Sequence, residues 1–224
     1  MASTEFVDPY LIPGTNVLRN LVGARSANDL AVAEADLSFA RAVELLDTPV
    51  PVTNDLRELC AIHRHLFQDV YEWAGEPRTV DVRKDVPGAD FFLPWSYIEN
   101  AAAICFDELA DERFLVGLSR SEFVERLAFH FEKINYLHPF REGNGRTQRV
   151  FWNRLALAAG WQLDWRPVQG EENHTAARAG SDQLDLGPLV RMFEKVVTDR
   201  PHVVSNDWPK DEVQRLSIKP SKRT

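Results

Sequence analysis

Between Tyr136 and Val150 a helix has to stop, turn and start again, and no other constraint in this chain is as tight. Apolar residues at Phe123, Val124, Leu127, Phe131 and Ile134 recur at helical spacing over 121–136. Pro139 ends that run, because proline lacks an N–H and disfavours helical geometry in the residue before it. Helical character resumes over 150–159, so the residues between form a loop that opens a second helix. Gly143 and Gly145 let that loop adopt positive φ. Its N–H groups can then converge on an anion, with the dipole of the following helix favouring the same charge.

The side chains in the loop extend this reading. Arg146 and Arg149 stand three apart, so both guanidinium forks can reach the mouth of an anion site. Glu142 offers the hard oxygens that Mg²⁺ takes when it binds through one carboxylate and substrate phosphates. His138 can accept a proton from a hydroxyl near neutral pH. A base, a cation-type carboxylate, a Gly-Asn-Gly turn and two arginines suit the handling of a nucleotide's phosphates.

The run His138-Pro139-Phe140-Arg141-Glu142-Gly143-Asn144-Gly145-Arg146-Thr147-Gln148-Arg149 resembles the signature of the Fic domain family at every fixed position. The similarity extends over about 8–198. It takes in Asp8-Pro9-Tyr10, Ile62-His63-Arg64-His65-Leu66-Phe67, Asp69 to Gly75 and Gly160 to Trp165, in the manner of bacterial Fic toxins. The resemblance implies an all-α, mainly helical fold with a short β-hairpin flap beside the active site, and protein adenylylation from ATP as the activity. On that basis His138 is the catalytic base toward a Ser, Thr or Tyr hydroxyl, and Glu142 holds Mg²⁺. Gly143, Asn144 and Gly145 stabilise charge on the α-phosphate, Arg146 and Arg149 bind the β- and γ-phosphates, and Phe140 faces inward as an anchor.

Alternation at Thr79-Val80-Asp81-Val82, a turn at Pro87-Gly88 and Phe91-Phe92-Leu93 read as the hairpin. In the family this flap lends an edge strand to the target's backbone, which makes Val80 and Val82 the docking residues. Further helices are expected over 27–46, 54–71, 96–109, 171–179 and 184–197. The domain is expected to span 1–198, followed by a partly flexible tail at 199–224.

Regulation follows from the resemblance as well. Fic proteins are commonly restrained by a helix carrying Ser/Thr-x-x-x-Glu-Gly/Asn, whose glutamate pairs with the motif's last arginine. The nearest match here, Ser121 to Arg126, departs at its final position and is not read as an inhibitor. A small antitoxin is therefore expected to supply that glutamate to Arg149, as for the toxin of a toxin–antitoxin pair. The DNA gyrase B subunit or a topoisomerase IV subunit is the expected target. Three alternatives stand beside this: kinase-like phosphoryl transfer, which in the family goes with lysine in place of the second glycine; an effector adenylylating small GTPases; and an interaction module with a decayed site.

The net charge of −8 argues against a surface built to coat nucleic acid. No run approaches the ~18 apolar residues that a membrane span needs, and the first residues lack a basic start and apolar core. A cytoplasmic location is expected. Cys60 and Cys105 lack metal or redox spacing and are read as buried, reduced side chains. His63 and His65 are read as surface or packing residues, His130 as packed or capping, and the tryptophans, Trp161 and Trp165 among them, as core, leaving the adenine pocket unassigned.

Overall fold

Capping side chains and left-handed residues set several of the helix ends. In the computed structural model, which describes residues 8–83, 91–168 and 185–199, Ser26 caps α1 (Ala27–Asp47) by accepting the Asp29 N–H. Asp55 caps α2 (Leu56–Phe67) in the same way. Ser119 and Glu122 form a reciprocal capping box on α4 (Arg120–Leu137). α3 (Ile98–Asp111) follows a single 3₁₀ turn at Trp95–Tyr97, while α5 (Asn144–Ala159) runs between left-handed glycines at 143 and 160. α6 (Gly187–Val196) completes the set.

The expected helices over 27–46, 96–109, 121–136 and 184–197 are present with small shifts at their ends. Two differ more. α2 stops at Phe67, not 71, because residues 68–71 continue only as turns hydrogen-bonded to the Phe67 carbonyl. α5 begins six residues before the expected 150, since Gly143 alone completes the turn. The helix expected over 171–179 and the tail at 200–224 lie outside the described residues.

α2 packs between α1 and α5, and α4 packs against α3 and α6. One apolar core runs through all six described helices, with Phe131, Trp152, Trp165 and Phe193 interlocked at its centre; the Phe131 and Phe193 ring centroids lie 5.2 Å apart, edge to face. β1 (Trp161–Leu163) and β2 (Val197–Asp199) pair antiparallel with Gln162 opposite Thr198, joining the end of α5 to the end of α6. Arg120 at the start of α4 ties into the same corner by donating to the Glu194 and Val197 carbonyls.

The hairpin is present in reduced form. Arg83 and Phe91 make an isolated antiparallel bridge, and the Phe92 N–H donates to the Val82 carbonyl at 3.0 Å. The Pro87-Gly88 turn lies outside the described residues. Among the described residues no helix is long and apolar enough to cross a membrane.

Candidate active site

His138 is the C-cap of α4, in left-handed geometry with φ 42° and ψ 62°. The following proline forbids another helical turn, so the chain reverses at this residue, a conformation that costs a non-glycine residue ~1–2 kcal/mol. The imidazole lies flat against Phe92 of the hairpin, with centroids 3.7 Å apart and planes 8° apart.

Six residues later, at Asn144, the chain enters α5. Asn144 closes the intervening loop on itself: its side-chain oxygen accepts the Phe140 N–H at 2.9 Å and its amide donates to the Phe140 carbonyl at 2.7 Å. Phe140 is buried beneath, stacked on His63 at 3.9 Å. The Asn144 side chain is thus committed to the loop, so the expected part of Asn144 in stabilising the α-phosphate is left to its backbone N–H at the open end of the helix. Gly143 takes φ +80°, and a Cβ there would come within 2.5 Å of the Phe67 ring. Gly145 does not share that conformation. It is helical and exposed, and a Cβ on it would meet no protein atom within 4 Å. No side chain caps this N-terminus among the described residues. The first N–H groups of α5 therefore take no capping side chain, and an uncapped helix start is a ready site for an anion.

The charged groups divide unevenly around this opening. Glu142 accepts the Gly143 N–H at 2.9 Å, and its side chain is 46 % exposed. Desolvation from the protein side, followed by the neighbouring Glu34 carboxylate, raises its pKa above the ordinary value. Arg149 stands over the face of Trp165, 5.1 Å from its centroid. Burial and then the nearby Arg146 charge lower the Arg149 pKa. Trp165 is wholly buried and serves as the floor for Arg149.

Arg146 is placed differently from expectation. Its guanidinium is paired with Glu34 of α1, donates to the Ser38 hydroxyl at 3.1 Å and lies over the Phe67 ring. The second oxygen of Glu34 accepts the Tyr71 hydroxyl, completing a buried network. Glu34 and Ser38 were not anticipated. They sit in the buried stripe Leu30, Glu34, Ser38, Ala42, Leu45, where two polar residues in succession are a signal that a buried cation lies opposite.

His63 also lies at the site and not merely in the core. The Gly75 N–H donates to its Nδ1 at 2.8 Å, which leaves Nε2–H to donate to the Glu142 carbonyl at 3.0 Å. Burial pushes its pKa down to about 3, so the ring is neutral. Arg141 ties the same loop to Asp8 at 2.9 Å.

The expected docking valines differ in burial. Val80 is 5 % exposed and turns inward, so its side chain is closed to a partner; Val82 is half-buried. Arg78, which sequence reasoning passed over, is buried between the hairpin and the loop. His130 is buried against Glu112, which also holds Arg126. His65 donates its Nε2–H to the Arg41 carbonyl of α1 at 3.1 Å. The cysteines are half-buried thiols, and burial pushes that of Cys60 up to about 11. Glu125, the glutamate of the near-match to an inhibitory helix, is exposed on α4.

Residues 53–156 match the model of the Fic/DOC family. The chain is 41 % identical over 194 residues to the "Probable protein adenylyltransferase Fic" of Salmonella typhimurium, covering 86 % of this chain and 93 % of that one. It is also 41 % identical over 165 residues to protein adenylyltransferase VbhT of Bartonella schoenbuchensis, 74 % of this chain and 34 % of that one. Among solved structures, the BepC protein of Bartonella tribocorum with bound AMPPNP superposes with a TM-score of 0.79 at 28 % identity, over 86 % of this chain and 97 % of that one.

Proposed function

This chain belongs to the Fic/DOC family and is a protein adenylyltransferase, and from that premise we propose that it moves AMP from ATP to a Ser, Thr or Tyr hydroxyl of a target protein through His138. The observation that carries the reading is the juxtaposition of His138, at the end of α4, with the uncapped start of α5 across a loop clipped by Asn144.

In this reaction the target hydroxyl attacks the α-phosphorus, its proton passes to the imidazole, the bond to the β-phosphate oxygen breaks, and pyrophosphate leaves. The N–H groups that open α5 face the charge that builds on the α-phosphate. Gly145 leaves room for the phosphate to approach the backbone, as its empty surroundings suggest. Arg149 holds the distal phosphates, and Arg146 joins it by sharing its donors between Glu34 and phosphate.

Among the described residues no group of three or more His, Cys, Asp or Glu side chains could hold a metal by itself. A single half-exposed carboxylate at Glu142 fits a Mg²⁺ ion that takes most of its oxygens from the nucleotide and water. When bound, the ion would neutralise charge on the departing pyrophosphate.

Docking of the target rests on the hairpin's backbone, because Val80 points inward and Val82 is only partly open. We take the target to be the gyrase B subunit or its topoisomerase IV counterpart, in the cytoplasm. The restraint is a separate small antitoxin whose glutamate addresses Arg149, since Ser121 to Arg126 departs from the inhibitory pattern at its final position and its Glu125 is exposed on α4.

Intact mass spectrometry of these subunits and of lysate proteins, after incubation with the chain, Mg²⁺ and ATP, tests the reading. AMP adds about 329 Da and phosphate about 80 Da. A gain of one AMP that is absent with His138→Ala is expected. A phosphate gain, or no gain with soluble enzyme, overturns it.

A further inference from the structure

Arg78 is the most deeply buried cation in the described chain whose role the reaction leaves unstated; its side chain is 0 % exposed. Placing a guanidinium there is costly, and burial accordingly lowers its pKa. The nearest carboxylate, Asp81, is 3.9 Å away and half exposed, so no close ion pair offsets that cost. The donors are spent on three carbonyls instead. Nε donates to His138 at 2.8 Å, one terminal nitrogen to Val80 at 2.7 Å, and the other to Leu93.

Those three acceptors belong to separate parts of the site. Val80 lies on the outgoing arm of the hairpin, Leu93 on the returning arm, and His138 carries the imidazole. The Arg78 backbone adds a fourth tie, donating to the Pro139 carbonyl at 2.7 Å. Phe92, next to Leu93, presses its ring on the imidazole from the same arm. The His138 carbonyl direction is fixed by an uncommon left-handed backbone, and Nε of Arg78 holds that carbonyl. A rigid planar fork with several donors can bridge three carbonyls at once, whereas a lysine ammonium on a flexible stem cannot hold the same geometry.

We infer that Arg78 is a positioning residue that locks the flap to His138, so that a hydroxyl delivered by a flap-docked protein arrives within reach of the imidazole. This rests on the AMP-transfer reading above. A residue acting in this way matters for a protein acceptor and much less for water, which needs no flap. Displacing a reacting group by about 1 Å costs on the order of 100-fold in rate.

The test uses the full chain as wild type, Arg78→Lys and Arg78→Gln. Tyr10→Phe is added because it removes only the hydroxyl that accepts the Thr79 N–H at 3.0 Å at the flap's base, and so keeps the question open to measurement if the Arg78 variants do not fold. Three quantities are read: affinity for a fluorescent mant-ATP with Mg²⁺, the rate at which ATP is hydrolysed to AMP without acceptor, and the rate of transfer from α-labelled ATP to proteins of a bacterial lysate. For Arg78→Lys, unchanged mant-ATP affinity, a fall of about 100-fold in protein transfer and a fall of less than about tenfold in hydrolysis are expected. Tyr10→Phe shifts the ratio of transfer to hydrolysis in the same direction by a smaller factor. Protein transfer at the wild-type rate, or transfer and hydrolysis falling by one common factor, overturns the role of Arg78. A wild-type chain that binds mant-ATP and labels no protein overturns the transfer reaction itself.

Discussion

Two glycines of the motif, two residues apart, should respond to the same methyl group in opposite senses. At Gly143 the backbone sits at φ +80°, and an added Cβ meets Phe67 ring carbons at 2.5 Å. The left-handed conformation costs an L-residue ~1–2 kcal/mol, and overpacking against a buried ring adds ~1–3 kcal/mol, so Gly143→Ala should lose about 2–5 kcal/mol. At Gly145 the backbone is helical and the space around the Cβ is open. Gly145→Ala should therefore gain up to about 1 kcal/mol from reduced chain entropy and better helix propensity. Its AMP transfer should nevertheless fall on the order of 100-fold, because the methyl group occupies the approach of the α-phosphate to the α5 N–H groups. Urea unfolding followed by far-UV circular dichroism, with the transfer assay alongside, measures both quantities. A cycle with Phe67→Leu separates the terms at Gly143: relief of the ring contact should recover the overpacking share and leave the cost of φ. Gly143→Ala within 0.5 kcal/mol of wild type, or Gly145→Ala with full transfer, would refute the reasoning.

Three further outcomes follow from contacts within the site. Asn144→Ala breaks both hydrogen bonds to Phe140 and leaves a buried N–H and carbonyl without that partner, so urea unfolding should show a loss of about 2–4 kcal/mol; less than 1 kcal/mol would mean that the clip is replaced by water. Glu34→Gln removes the charge opposite Arg146 and should cost about 1–3 kcal/mol, with weaker ATP affinity if Arg146 loses its bearing; unchanged values for both would show that the pair is inert. His63 has a folded pKa of about 3 against an unfolded value near 6.5, so between those limits only the unfolded chain takes up its proton. Stability should fall as pH drops below about 6.5, by about 1.4 kcal/mol per pH unit for this ring, with His130, also lowered by burial, adding to the slope. Unfolding at pH 7.5, 6.5 and 5.5 checks this, with His63→Asn expected to flatten the profile; an equally steep profile in the variant would contradict the assignment.

Much of the site was legible because its loop is punctuated by residues with strong local preferences. Pro139 and Gly143 set the end of α4 and the start of α5 almost unaided, so the course of the loop was readable from its own residues. The same local reasoning did not anticipate the Asn144 clip, in which the amide is taken up by a backbone four residues earlier, and it misjudged Gly145, which joins the helix. Arg146 needed knowledge of α1: the partner carboxylate is 112 residues away, and only the polar pair Glu34 and Ser38 in an apolar stripe hinted at it. Arg78 left no periodic trace. Its acceptors are backbone carbonyls that exist only once the flap and loop are folded together. β1 and β2, three residues each, are too short for alternation to be read.

The long reach of these contacts bears on when the enzyme comes alive during its own synthesis. The motif loop closes locally between consecutive helices, but the groups that immobilise it arrive from sequence separations of 60, 79 and 112 residues, through Arg78, His63 and Glu34. All three precede the loop and so leave the ribosome first, whereas closing such long loops is slow compared with forming a helix. A nascent chain can thus carry every motif residue in helical register and still lack a fixed imidazole. The site becomes competent only with the last docking step, so the timing of activity is set by the slowest long-range contact and not by the completion of the motif.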